Sequence, residues 1–527
     1  MNEMQHEWAM TNDGLPGRSA ERPDNPHSAF RIPQSKQSAI RLLPSAILAG
    51  LASIAAFLGG EALRFSLLGG AAWGLAFAFV VSLEAGMLGL LVFEPLRGVL
   101  RRAQYLLVDY TPTDPIHLVS PLVLGVGFLL LLRREGWGVW RATPVAGPVT
   151  ALAAVFALEI FNPLQSSVLV GFTGALFMLV PLFWFYFGQA AQEDFMWRAA
   201  RVVVVLGIAT SLYGVYQLAF GFPSFEQYWL DHTEFYESIA VYNVKRALAT
   251  FSSAEEWGRY VQFGAVLAAG LGLAARERAK ALAWYLAAAV LLAMLVLTGQ
   301  RTSLFGLLLG WGMLWLTGPR SWPKALARLA LAALPLALAV VFLQPASQEN
   351  IFDKDESETF STMVSHTTKG AVNPTGEGSL YERFDTWTYL VTEVLPYRPL
   401  GVGLGETALG GLRFGGDGQN SNRRPIDSYL ITLAVACGPL GAILFVWLLA
   451  RATRLAKRRW QTTAPHTPDD ALWRTMLAML AMFWLNNFFG NSFSMYSTAP
   501  IGWLTLGWIS RNAATTEDWS ARRPRLQ

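Results

Sequence analysis

ALAWYLAAAVLLAMLVL (residues 281–297), TGQRT (298–302) and SLFGLLLGWGMLWL (303–316) follow one another without a break, and they decide the fold. The two outer stretches carry no charge, and the short turn between them carries one, Arg301. A run of about 17 to 25 apolar residues spans a hydrocarbon core of about 30 Å. In lipid such a run must close its own backbone hydrogen bonds, so each is a helix. The chain crosses, turns at Arg301 and crosses back.

The pattern repeats in both directions. Apolar runs occur near 44–60, 68–93, 116–132, 145–160, 168–187, 202–220 and 257–274, and after the opening pair at 325–343, 429–450, 476–489 and 499–509. The expected architecture is an all-α polytopic membrane protein with about 12 to 13 transmembrane helices. Composition agrees: 53% of the residues are hydrophobic and 15% charged, where soluble domains carry roughly 25% charged residues. Mean hydropathy is +0.34. The 20 tryptophans often stand at the ends of the runs, as interfacial aromatic belts do. This excludes a soluble globular enzyme, and a formal charge of +4 gives no nucleic-acid footprint. The single cysteine, Cys437, sits in an apolar run, which excludes an internal disulfide and points to a small core residue. Six scattered histidines show no metal-ligand spacing, so no metal site and no cofactor are expected. Residues 1–43 are polar, hold Pro23, Pro26 and Pro33, lack the apolar core of a signal peptide, and are expected to form a disordered tail.

Charge orients the helices. Clusters at Arg276/Arg278/Lys280, Arg320/Lys324/Arg328 and Arg451/Arg454/Lys457/Arg458/Arg459 belong on the cytoplasmic side. Counting spans from them puts Arg301, Asp427 and the loop 222–256 on one opposite, external surface. At the front of the chain the same count puts 94–117 outside, with Arg97, Arg101 and Arg102, against the charge rule. Either a re-entrant or amphipathic piece or a miscounted span would restore agreement. The expected divisions are a tail (1–43), helices one to ten (44–345), a long periplasmic loop (346–426), helices eleven to thirteen (427–510) and a cytoplasmic tail (511–527).

Polar residues on the external surface are the candidates for chemistry. Arg301, at a helix end where positive charge is disfavoured, suits bidentate capture of a phosphate, or else snorkels to headgroups. Arg246 precedes Thr250-Phe251 and a helix, and reads equally as a loop charge. Arg383 and Trp387, four apart, share one helical face and could simply stack. Gly401, Gly403 and Gly405 alternate in Pro399-Leu400-Gly401-Val402-Gly403-Leu404-Gly405, which permits close approach or positive φ but is no nucleotide loop. Asp427 opens a helix in Asp427-Ser428-Tyr429, where an N-cap is the plainest role.

In this order and sidedness, Arg246 with Thr250-Phe251, the Gly299-Gln300-Arg301 turn, Arg383 and Trp387 with the glycine run, and Asp427-Ser428 before Gly438 and Gly441 resemble the O-antigen ligase and polymerase superfamily. The resemblance covers about 201–449. It implies a metal-independent, inverting glycosyltransferase of the GT-C type in a bacterial inner membrane, working at the periplasmic face. Its substrates would be undecaprenyl-diphosphate-linked oligosaccharides as donor and acceptor, its surroundings membrane lipids, and its partners a flippase and a chain-length regulator, with no nucleic acid. By the same resemblance Arg301 and Arg246 hold the diphosphate. Arg383 adds positive charge, Asp427 is catalytic, and Trp387, Gly401, Gly403, Gly405, Ser428 and Tyr429 bind substrate. One departure matters. O-antigen ligases usually carry His followed by Asn, Ser or Gln where this chain has Asp427-Ser428, which resembles the polymerase-like branch more and leaves His366 or Glu406 as other bases. The expectation is a Wzy-type polysaccharide polymerase making O-antigen, capsule or exopolysaccharide. An O-antigen ligase or protein O-oligosaccharyltransferase is the alternative. From another class comes a lipid or sugar transporter, for which the membrane carboxylates Glu84 and Glu159 would speak.

Overall fold

The computed structural model describes residues 60–111, 114–136, 143–233, 240–241, 244–318, 378–407 and 426–513. The expected tails, the runs near 44–60 and 325–343, His366 and most of the loop 346–426 lie outside the described residues.

What is described is helical. In chain order the long elements are α1 (Gly60–Val81), α2 (Leu83–Ala103), α3 (Ile116–Glu135), α4 (Ala146–Glu159), α5 (Val168–Met178), α6 (Phe183–Ala190) and α7 (Glu193–Phe220). They continue with α8 (Ser224–His232), α9 (Ala254–Ala274), α10 (Arg278–Leu297), α11 (Arg301–Leu316), α12 (Gly378–Tyr389), α13 (Tyr429–Thr462), α14 (Pro468–Phe488) and α15 (Ala499–Asn512). A two-residue antiparallel ladder, β1 (Ala240–Val241) with β2 (Val244–Lys245), precedes α9. Six described helices are long and apolar enough to cross a membrane: α1, α3, the continuous Val168–Ala190, α7, α10 and α13. The chain is a multi-pass, all-α membrane protein. Leu83–Ala103, Ala254–Ala274 and Pro468–Phe488 are of similar length but bury charges, among them Arg102, Arg259 and Arg474. They form the interior of the bundle, while the apolar helices present Leu, Val and Phe outward.

Two of the sequence-derived runs need correction. The run 68–93 is two helices, because Ser82 is extended and its hydroxyl caps α2 by accepting from the Ala85 N–H. The run 168–187 is interrupted at Val180–Leu182, where Pro181 tightens one turn to a 3-10 helix.

The two ends of the bundle differ in chemistry. At one end Arg198, at the start of α7, meets Glu84 at 2.7 Å, and Arg511 donates to the Gln189 carbonyl at 2.5 Å. Glu84 is therefore a half-exposed helix-end partner of Arg198 and no midplane carboxylate. The other end gathers the segment before α9, the turn before α11, and the starts of α12 and α13. Arg97, Arg101 and Arg102 sit at this second end. At these three positions, which run against the charge rule, the structure shows pairing. Arg102 meets Glu226 at 2.7 Å, Arg101 meets Asp114 at 3.5 Å, and Arg97 lies 3.8 Å from Glu94 and over the Tyr496 ring. The charge rule counts free loop cations, and these three are internally neutralised.

The pairing is tied to a defect in α2. Thr250 inserts between Pro95 and Val99 of α2: its hydroxyl donates to the Pro95 carbonyl at 2.6 Å, and its own carbonyl accepts from the Val99 N–H at 2.8 Å. Arg102 then donates to the Phe251 and Ala249 carbonyls, both at 2.5 Å. Gln217 accepts from the Leu248 and Ala249 N–H groups and donates to Glu226 at 2.7 Å. The segment that carries Arg246 is thus sewn to α2 and α7.

Removing the buried Arg102 alone strands Glu226 without its cation, a loss of about 3–5 kcal/mol. Arg102→Met should lower the melting temperature of the detergent-purified protein substantially. Adding Glu226→Gln should recover part of the loss. Equal melting of Arg102→Met and wild type would deny the clamp its role.

Candidate functional site

Four segments converge at the second end, and each is fixed by local chemistry. Arg246 follows the clamped ladder and precedes Ala249, whose φ of 50° turns the chain toward α9. Ser253 caps α9 by accepting from the Glu256 N–H at 3.1 Å. The Glu256 carboxylate reaches back to the Ser252 N–H and across to the Ser497 hydroxyl at 2.8 Å. Arg301 is the first residue of α11, after Gly299 at φ 70° and a Thr298 hydroxyl that accepts from the Gln300 N–H. Gln300 packs on Gly258, which leaves the turn resting on the first part of α9.

Asp427 precedes α13, and the expected capping role does not fall to it. Ser428 is the cap: it is extended, and its hydroxyl accepts from the Ile431 N–H at 3.3 Å. The Asp427 carboxylate points elsewhere, accepting from Arg383 Nε at 3.1 Å and Nη2 at 3.0 Å on the same oxygen. The two side chains are 33% and 40% exposed, so the pair is open to a ligand. Burial raises the Asp427 carboxyl above its ordinary range, and Glu255 raises it further, while Arg383 and Arg259 pull it down. Burial lowers Arg246, Glu255 opposes this, and the charges of Arg383, Asp427 and Arg301 are all felt there. Arg246, Arg301, Arg383 and Asp427, far apart in sequence, share one electrostatic neighbourhood.

Other sequence candidates turn out to be scaffold. Trp387 is buried against Phe384, Phe488 and Phe489, so it anchors α12 to the end of α14 and does not stack on Arg383. Tyr429 is fully buried, its ring against Phe445 and Phe493. Its N–H donates to the Gly490 carbonyl at 2.9 Å. Both Tyr429 and the capping Ser428 are buried.

The glycine run is a backbone seam. Gly438 adopts φ 68° and ψ 175° inside α13, and Pro439 has no N–H to give to the Val435 carbonyl. Val402 N–H takes the Val435 carbonyl at 2.9 Å, and Gly403 N–H takes that of Ala436 at 3.1 Å. Gly401 and Gly403 stand at φ 90° and 102°, and a Cβ on Gly403 would meet Gln165 at 2.6 Å. Gly405 abuts the Val170 carbonyl with no room for a side chain. Glu406 is spent on the Ser166 hydroxyl at 2.9 Å, and Glu159 accepts from Asn162 at 2.6 Å at the end of α4.

Sequence reasoning passed over Glu255 and Arg259. Arg259 is fully buried and donates to Glu255 Oε1 twice, at 2.7 and 3.0 Å, and to Asn486, Phe489 and Ser492. Their signal was present: Ser253-Ala254-Glu255-Glu256 is a capping-box pattern, and Glu255 and Arg259 have i,i+4 spacing.

No curated protein matches the chain significantly. Residues 286–446 match the family model Wzy_C, O-Antigen ligase. That region is under a third of the chain, and it carries Arg301, Arg383, the glycine seam and Asp427, while Arg246, Glu255 and Arg259 lie before it. The match, over the residues that hold this site, supports placing the chain in the O-antigen ligase and polymerase superfamily.

Proposed function

We propose that this chain is a polysaccharide polymerase of the inner membrane. It transfers a glycan from one undecaprenyl diphosphate onto a sugar hydroxyl of a second lipid-linked repeat unit, at the periplasmic face. The observation that carries this reading is Asp427: it is relieved of capping by Ser428, bonded to Arg383, and within the field of Arg246.

The chemistry is a single inverting displacement. Asp427 takes the proton of the acceptor hydroxyl. The hydroxyl oxygen bonds to the anomeric carbon on the face opposite the diphosphate. The anomeric C–O bond breaks, and its electron pair leaves with undecaprenyl diphosphate. Arg246 and Arg301 meet the charge that grows on the leaving oxygens, where fixed cations outdo mobile water. A ligase passing the same donor to a different acceptor is the second reading, favoured by the matched family, O-Antigen ligase. Transport has less behind it, because Glu84 and Glu159 lie at helix ends with partners.

Two outcomes are expected from the full chain in vesicles with lipid-linked glycan extracted from cells lacking it. Asp427→Asn should cut polymer formation by roughly 10²–10⁴, the worth of general-base help. Ser428→Ala should cost about 1 kcal/mol of stability while the folded protein keeps its turnover. The reverse ranking would return Asp427 to a structural role.

Arg301→Lys keeps the charge but loses the planar fork. Glycan transfer should fall severely at unchanged membrane abundance, and wild-type polymer from Arg301→Ala would reduce the residue to a headgroup anchor.

Sidedness is read by single cysteines in a Cys437→Ala background. A membrane-impermeant thiol reagent added outside the inner membrane should label Thr392→Cys, on the exposed side after α12, and spare Gln461→Cys near the end of α13. Labelling of Gln461→Cys alone would place the site in the cytoplasm.

A further inference from the structure

Glu255 is the charged residue at this end whose placement the transfer reading leaves unused. Its backbone is fixed by the capped first turn of α9, two residues after the Ser253 cap. Its neighbour Glu256 is fully committed, to the Ser252 N–H and to Ser497. Glu255 is not. Arg259 holds Oε1 through two donors, and Oε2 has no partner among the described residues. The side chain is 29% exposed, where Arg259 is 0% exposed.

Its position follows from what Arg259 grips. That guanidinium also donates to the Asn486 and Phe489 carbonyls and to the Ser492 hydroxyl, joining the first turns of α9 to the chain after α14. Gly490 lies within that stretch. A Cβ there would meet Glu255 Oε1 at 2.9 Å, and the Gly490 carbonyl accepts the Tyr429 N–H, two residues from Asp427. Glu255 therefore stands beside the strut on which the start of α13 hangs. Of the charges felt at Arg246, that of Glu255 is the largest, and it is also the largest anionic influence on Asp427.

We propose that Glu255, held by Arg259, is a positioning residue whose negative charge opposes the site's arginines and keeps Asp427 basic enough to accept a proton from a sugar hydroxyl. The need is physical. Burial already raises Asp427, but its bond to Arg383 and the charge of Arg259 stabilise the anion and draw it back toward a poorer proton acceptor. A second fixed anion offsets that field. Among the described residues, the charged groups whose fields reach Asp427 are Glu255 and Arg259 from α9, Arg246 from the segment before it and Arg383 from α12. Of these, Glu255 alone is anionic. A role in gripping substrate is left to the arginines, and Glu255 acts through Asp427. The inference rests on Asp427 being the base.

The test is the pH dependence of glycan transfer by the full chain in vesicles, using lipid-linked glycan extracted from cells lacking it. The rate rises as pH climbs through the titration of Asp427, because the deprotonated form takes the proton. Neutralising Glu255 removes a repulsion between carboxylates, so Glu255→Gln should move this acid limb to lower pH by about one unit at an effective dielectric near 20. The maximal rate should fall with the weaker base, and Glu255→Asp should restore both limb and rate. An acid limb that stays in place in Glu255→Gln overturns the proposal. Asp427→Asn separates the two ideas. If it abolishes transfer while Glu255→Gln leaves the limb unmoved, only the role of Glu255 falls. If it transfers at the wild-type rate, the base reading falls and takes this proposal with it. Should Glu255→Gln be too slow to assay, the infrared carboxyl band that disappears in Asp427→Asn reports the same titration directly. Its shift to lower pH in Glu255→Gln supports the proposal, and an unshifted band sinks it.

Discussion

In a bilayer core a backbone group without a partner costs several kcal/mol, and no water is present to relieve it. That constraint organises this molecule, because two of its helices take backbone partners from irregular segments. In α2, Thr250 bonds to the Pro95 carbonyl and the Val99 N–H. Gly438 and Pro439 open the ladder of α13, and Val402 and Gly403 fill it. In both cases the repair is made by an irregular segment belonging to the candidate site. Non-helical backbone is tolerated at this depth because broken helices need its donors and acceptors, and each break fixes the loop that mends it.

The same logic governs charge. Arginine is expensive to bury and stays only where partners answer it. Arg102 is answered by Glu226 and two carbonyls and Arg259 by Glu255 and the chain after α14, and they hold the frame. Arg383 is answered by a carboxylate that remains open to solvent, and Arg246 lies under the competing fields of two carboxylates and two arginines. The frame cations are enclosed by their partners, whereas the Arg383–Asp427 pair at the candidate site is part-exposed.

The correspondence between sequence and structure is uneven for physical reasons. The apolar runs were legible because lipid imposes a length and forbids charges, and the helices from 193 to 316 fall where the runs do. The break at Ser82 was hidden: the apolar character continues across it, and only the capping hydroxyl marks the turn. Charge counting runs against the rule at Arg97, Arg101 and Arg102, and there the structure supplies counter-ions from Glu94, Asp114 and Glu226. Local patterns assigned capping to Asp427 when Ser428, one residue later, performs it. Trp387, Tyr429 and the glycines drew notice as residue types suited to ligands, whereas each is fixed by packing that no local pattern displays.

The sequence alone determined the class of the molecule, the course of most of its spans and the set of arginines worth watching, because hydropathy, helix length and charge bias act locally along a chain. Which arginine is enclosed in the frame and which borders the candidate site was decided only by tertiary structure. Ion pairs such as Arg102 with Glu226 and Arg383 with Asp427 join residues 124 and 44 positions apart. Their energies depend on burial and distance, and neither quantity exists until the helices have packed.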